Sequence, residues 1–224
     1  MSPMPITIRK SRRTPDEVRE DAVAAARDLL LSDGPQAVTL KAVATRLDMT
    51  HGNITHHFGS VGGLHAALIG TMTRELTSIV RHLAEEMRGG RANPREIVDT
   101  VFDAFGRGGA TRMIAWVELS GKRADLAPFH AAVADLVEAL TGSVPGRRKI
   151  DSARVTLAVL LPALGHALVV SDLAEELDIP EDEVRAQVAT SLEALLRLQT
   201  RARSRERRAT AASEPRLRHR RVEA

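Results

Sequence analysis

Cysteine is absent from the 224 residues, and so is tyrosine. Without thiols the chain has no disulfide, no thiolate metal site and no thiol nucleophile, and it suits a reducing, cytoplasmic setting. Other catalytic signatures are missing as well: no G-x-S-x-G, H-E-x-x-H, phosphate-binding loop or dinucleotide fingerprint occurs. No catalytic residue and no cofactor is assigned, and the chain is not expected to be an enzyme. Glu118 and Lys122 read as a surface ion pair. His51 and His56 stand five apart and would face different sides of a helix, whereas a two-histidine metal site wants i, i+4, so no metal site is assigned. Long apolar runs are lacking too. The most apolar stretch, 155–170, falls short of the ~20 residues that cross a bilayer and contains Pro162 and His166. Residues 1–13 have no apolar core behind Arg9, Lys10, Arg12 and Arg13 and do not read as a signal peptide. No membrane partner is expected.

The sequence pI of about 9.9 is misleading. Nine arginines fall in residues 201–224 against three glutamates, so that tail carries +6 of the net +3 and the remainder is −3. Any electrostatic footprint for nucleic acid must be local, as in residues 1–13, a basic arm of +4.

What the sequence does have is helical periodicity. Val18, Ala22, Ala25, Ala26, Leu29 and Leu30 share a helix face after a Thr14-Pro15-Asp16-Glu17 start, and Gly34-Pro35 ends that helix. Short helices are expected at about 40–47 and 51–57, and a long one over 61–88 with Leu64, Leu68, Met72, Leu76, Ile79, Val80 and Leu83 inside. Further helices are read at 95–107, 110–122, 126–141, 151–174 and 181–199. No period-two alternation is sustained, so the fold class is all-α. Beyond Arg201 the apolar period stops, and the tail 201–224 is expected to be disordered.

Residues 39–58 carry the chemistry. Leu40, Val43, Ala44 and Leu47 give the first short helix a buried face, while Ile54 and Phe58 give one to the second. Thr50 is placed to cap the second helix. Its remaining face, His51, Gly52, Asn53, Thr55 and His56, is polar, carries no formal charge and has a notch at glycine. Asn and His can bond base edges, and Thr39, Lys41 and Thr50 can meet phosphates. These residues fit a helix-turn-helix that reads the major groove; they also fit an ordinary helical hairpin with a polar outer face.

The segment resembles the DNA-binding domain of the tetracycline-repressor (TetR) family of regulators. That family's pattern runs Thr-x-x-x-Ile-Ala, a turn, then Ser/Thr-x-Gly-x-Leu-Tyr-x-His-Phe-x-x-Lys and a Leu three residues on. Thr39, Val43 and Ala44 fit its first part, and Thr50, Gly52, Ile54, His57, Phe58 and Leu64 its second. Two positions depart: Thr55 stands where the family has a phosphate-contacting Tyr, and Val61, followed by Gly62-Gly63, where it has a Lys. Two backbone anchors are thereby lost, which would lower affinity unless the basic arm compensates.

The resemblance implies a three-helix DNA-binding domain over 14–60 and a ligand-binding and dimerisation domain over 61–200. Its partners would be double-stranded operator DNA, a small molecule and a second copy, with repression as the family default. The near-continuous apolarity of 155–170, together with Val184, Val188, Leu192, Leu195 and Leu196, points to a dimer through the last two helices, about 151–174 and 181–199. Aromatics are 2% of the chain and most fall in 102–129. Phe102, Phe105, Met113, Trp116, Phe129, His130 and His166 are the candidate pocket residues. Pro162 would kink its helix and free a carbonyl. The alternative to this reading is a helical protein-interaction adaptor that does not bind DNA sequence-specifically.

Overall fold

The computed structural model describes residues 14–144, 146 and 148–213, and every regular element among them is helical. The arm 1–13 and residues 214–224 lie outside the described residues. Helix α1 (Pro15–Asp33) starts where its sequence supplies the missing partners. The Thr14 hydroxyl accepts from the Glu17 N–H at 3.2 Å, and the Glu17 carboxylate accepts from the Thr14 N–H at 2.7 Å. This capping box satisfies two of the donors that a helix start leaves open. Asn93 repeats the device before α5 (Pro94–Phe105), accepting from the N–H groups of Arg95 and Glu96.

The other helices are α2 (Leu40–Arg46), α3 (His51–Phe58), α4 (Val61–Arg88), α6 (Ala110–Leu119), α7 (Ala127–Gly142), α8 (Lys149–Gly165), α9 (Ser171–Glu176) and α10 (Glu181–Ser213). Three features correct the sequence reading. The expected helix over 151–174 is interrupted: a π turn at His166–Val170 separates α8 from α9, one turn beyond Pro162, whose ring nitrogen has no N–H for the ladder. The last helix does not stop near 199 but continues to Ser213. Arg and Ala are strong helix formers, so loss of the apolar period ended burial there without ending the helix. Glu118 pairs with Arg123 at 2.7 Å rather than with Lys122.

The apolar stretch is also longer than the sequence suggested. The helical run Lys149–Val169 has 21 residues and mean hydropathy 1.5, enough by length and composition to cross a membrane, yet only 22% of its apolar window is buried.

Two compact units result: residues up to Thr71 with Met113–Ala127, and Met72–Arg112 with Pro128 onward. In the second, α10 packs on α5 and α8. Arg185 of α10 donates to Asp103 at 2.9 Å, lies 3.5 Å from Asp99, and stacks over the Phe102 ring. Arg95 joins this cluster by pairing with Asp99 at 2.8 Å and with Asp182. These contacts fix α10 along α5 in register.

In the first unit, His65 of α4 is buried, and its Nε2–H donates to the Val38 carbonyl at 2.9 Å, just before α2. Its Nδ1 is buried and has no hydrogen-bond partner among the described residues. Burial pushes the imidazole below its ordinary pKa, opposed by the Val38 hydrogen bond and the charge of Asp125. The folded state thus holds this histidine neutral, while the unfolded chain takes a proton near pH ~6.5. The stability it contributes is complete above that pH and declines as the pH falls below it. Thermal melts at pH 7.5 and 5.5 should show a larger drop for the native chain than for His65→Gln, which keeps a donor for Val38 and cannot titrate. Equal drops would contradict the assignment.

Candidate nucleic-acid interface and ligand cavity

Helices α2 and α3 are joined by four residues that reverse the chain. Asp48 sits in the left-handed region at φ 55°, and the Met49 N–H returns to the Ala44 carbonyl at 2.9 Å. Both helix starts are capped by threonine. Thr39 accepts from the Ala42 N–H at 3.1 Å and Thr50 from the Asn53 N–H at 3.2 Å. In each case the hydroxyl oxygen is used and the hydroxyl proton remains available to donate outward.

An eight-residue helix is too short to hold itself in water. What holds α3 is its inner face: Ile54 is fully buried and Phe58 nearly so, each worth about 1.5–3 kcal/mol by area. Arg19 of α1 adds a contact that sequence spacing gave no sign of. Its guanidinium donates to the His57 carbonyl at the end of α3 and lies 4.8 Å from the centre of the Phe58 ring. Gly63 lets α4 begin against this end, since a Cβ there would stand 2.0 Å from the Phe58 carbonyl oxygen. The Gly62-Gly63 departure from the TetR pattern therefore has a steric reason on its second residue.

With the inner face committed, His51, Gly52, Asn53 and His56 are exposed, as are Thr39, Lys41 and Thr50. Thr55 differs. It is half-buried, and its hydroxyl donates to the His51 carbonyl at 2.9 Å, so its one proton is spent inside the helix. Arg46, unnoticed in the sequence, lines an open depression on α2 together with Thr39, Lys41 and Thr45, and keeps only a 3.7 Å contact to Asp28. Gly52 has no packing duty. Its φ is ordinary for a helix and no atom beyond its own neighbours lies within 4 Å of where a Cβ would stand.

The second unit holds a cavity of about 350 Å³ between α4, α5, α7, α8 and α10. Its wall is aliphatic, with Leu76, Val80, Ile97, Val101, Leu136, Leu140, Val159 and Leu192, and two aromatics, Phe105 and Phe129. Of the seven candidates from sequence, the structure brings only those two to it. Phe102 is buried elsewhere, its ring 5.3 Å from that of His166 and beneath Arg185. The Nε2 of His166 is buried without a hydrogen-bond partner among the described residues. His130 is exposed; Met113 and Trp116 belong to the other unit, the first fully buried and the second 41% exposed. The wall residues were missed because an aliphatic position lining a void has the same helical spacing as one in solid core.

Residues 22–68 match the family described as bacterial regulatory proteins, tetR family. An HTH-type transcriptional repressor of Mycobacterium tuberculosis and an HTH-type transcriptional regulator of Mycobacterium bovis are each 29% identical to the chain over 108 residues. The match spans 48% of this chain and 53% of theirs, so it covers about half the length of these relatives. Among solved structures, the multidrug binding protein EbrR in complex with ethidium covers 79% of this chain and 98% of its own, with TM-score 0.57 and 20% identity. A transcriptional regulator from Rhodococcus covers 80% and 96%, with TM-score 0.56 and 17% identity. At these identities the likeness establishes the fold.

Gly52 offers a test that separates structural from interfacial use. Gly52→Ala should raise helix stability by about 0.5–1 kcal/mol, since alanine is the better helix former and has room. If α3 meets another surface there, the same change weakens duplex binding. A higher melting temperature with unchanged duplex affinity would remove α3 from the interface.

Proposed function

Residues 22–68 match the tetR family of bacterial regulatory proteins, and on that match we propose that the chain is a ligand-modulated transcriptional regulator of this kind. It acts on double-stranded operator DNA in the cytoplasm as a homodimer, most simply as a repressor. One observation carries this reading: the outward face of α3 is polar, bears no formal charge, is exposed, and includes a glycine that the fold does not require. Such a face costs helix propensity and returns nothing to the chain's own stability, which fits a surface shaped for base edges. His51 and Asn53 are assigned to bases. Lys41 and Arg46, with the hydroxyls of Thr39 and Thr50, are assigned to phosphates. Thr55 is left out of the contact set, since its hydroxyl is already used.

Support for the dimer comes from α8 and α10. Leu157, Leu161 and Leu168 recur on one side of the α8 run at 46%, 61% and 53% exposure, and Leu198 of α10 is 61% exposed. An apolar stripe of this kind is costly in water and characteristic of a surface that a partner covers. A second copy, bringing the same stripe, suits a two-fold assembly. Ligand in the cavity would act by differential affinity, favouring dimers whose two α3 helices no longer fit half-sites ~34–36 Å apart.

Two variants test the parts separately. His51→Ala with Asn53→Ala should lose roughly 1–3 kcal/mol of discrimination per contact while keeping the salt dependence of binding, because phosphate contacts persist. Leu161→Glu with Leu198→Glu should yield a monomer on sedimentation with specific retention in gel shifts abolished. Undiminished selectivity in the first, or an intact dimer in the second, would overturn the corresponding assignment.

A further inference from the structure

The cavity of the second unit is chemically one-sided. Its polar residues are threonines and arginines, and no Asp or Glu lines it. Three of its four threonines offer little to a ligand: Thr77 donates to the Arg74 carbonyl, Thr156 to Ser152 and Thr200 to Leu196, each within its own helix. A hydroxyl has one proton, so these three supply no free donor to the interior. Side-chain donors with capacity to spare are found at Arg88 and Arg203. Arg88 spends one N–H on Ser143 at 3.2 Å, and Arg203 bonds weakly to the Gln199 carbonyl at 3.3 Å and Thr200 at 3.5 Å. Neither faces a carboxylate within ion-pair range among the described residues, whereas Arg91, Arg95, Arg107, Arg148, Arg154, Arg185 and Arg197 of this unit do.

Both arginines gather at one end. Arg88 reaches Ser143, the residue after α7, and Gln199, one turn before Arg203, donates to the Asp151 carbonyl in the first turn of α8. The cavity therefore closes, at the α7–α8 connection, on two cations without an ion-pair partner among the described residues. Its α4 wall runs from Thr73 to Arg88, sixteen residues spanning about 22 Å of helix. The space is long and mostly aliphatic, and cationic at one end.

We propose that this cavity takes an elongated amphipathic carboxylate, with an apolar chain lying along α4 and its carboxylate held by Arg88 and Arg203. The assignment rests on the reading of this cavity as the regulator's ligand site, and it names the ligand class. Guanidinium groups pair with carboxylates in forked, charge-assisted geometry, and two of them at an apolar mouth select for that head group over a neutral one. A lipophilic cation finds no counter-charge here and meets two like charges.

The test varies the head group on one chain. Decanoate, decanol and decylammonium are titrated calorimetrically into the full-length protein, below their aggregation limits. Decanoate should bind about tenfold more tightly than decanol, as expected for partly exposed charge-assisted bonds, and decylammonium should bind weakest. In Arg88→Gln with Arg203→Gln, the decanoate-to-decanol ratio should collapse to near one. Retained decanol binding in that variant shows that the cavity is intact. No decanoate uptake, equal or reversed preference in the native chain, or a preference that survives the double substitution would overturn the inference. A parallel duplex-release assay keeps the two readings apart. Decanoate that binds as described without altering duplex affinity leaves the ligand class standing and removes the regulatory role.

Discussion

The constraint on which this molecule turns is the weakness of its most important helix. Eight residues cannot remain helical in water on their own account. Everything that stabilises α3 comes from one side or from its ends: Ile54 and Phe58 beneath it, the Thr50 cap, and Arg19 holding the His57 carbonyl. Because the inner face and the two termini do all of this, the outer face is relieved of structural duty. It can carry residues chosen for another purpose, including a glycine at a position where the chain itself gains nothing from one. The first unit is arranged to keep that face presented, down to Gly63, where backbone meets backbone too closely for any side chain.

The second unit solves a different problem, that of keeping a void open inside a helical bundle. Branched aliphatic side chains from five helices wall the cavity, and Thr77, Thr156 and Thr200 along it are bonded into their own helices. The charged cluster of Arg95, Asp99, Asp103, Asp182 and Arg185 holds α5 and α10 together away from that cavity, so the space does not depend on polar contacts across it. Meanwhile α8 contributes Val155 and Val159 to the cavity and leaves Leu157 and Leu161 uncovered. One helix is thus asked to be apolar on two faces, which is why its sequence resembles a membrane span.

Much of this was legible in the sequence because it depends on local rules. The Thr14-Pro15-Asp16-Glu17 start, the Gly34-Pro35 stop and 3.6-residue periodicity set most helix ends to within a few residues. The inner and outer faces of α3 followed from the spacing of Ile54 and Phe58. What could not be read depends on distant contacts. Arg19 meets His57 across thirty-eight positions. The cavity draws its wall from residues 73 to 203, and aromatics, though rare and clustered in sequence, mostly went elsewhere: Phe102 to His166 and Arg185, Trp116 to the other unit. The extent of α10 was underestimated because burial and helicity were treated as one property, and arginine and alanine separate them.

The central claim is that the free face of α3 reads bases, twice, from a symmetric pair. Selection from a pool of randomised duplexes tests it most directly, with the native chain and with Asn53→Gln run side by side. The account predicts an enriched inverted repeat with half-sites about one helical turn apart, ~34–36 Å, and a change of preferred base at one position of each half-site in the variant. An unenriched pool, a single unrepeated site, or the same sequence recovered by both proteins would contradict it.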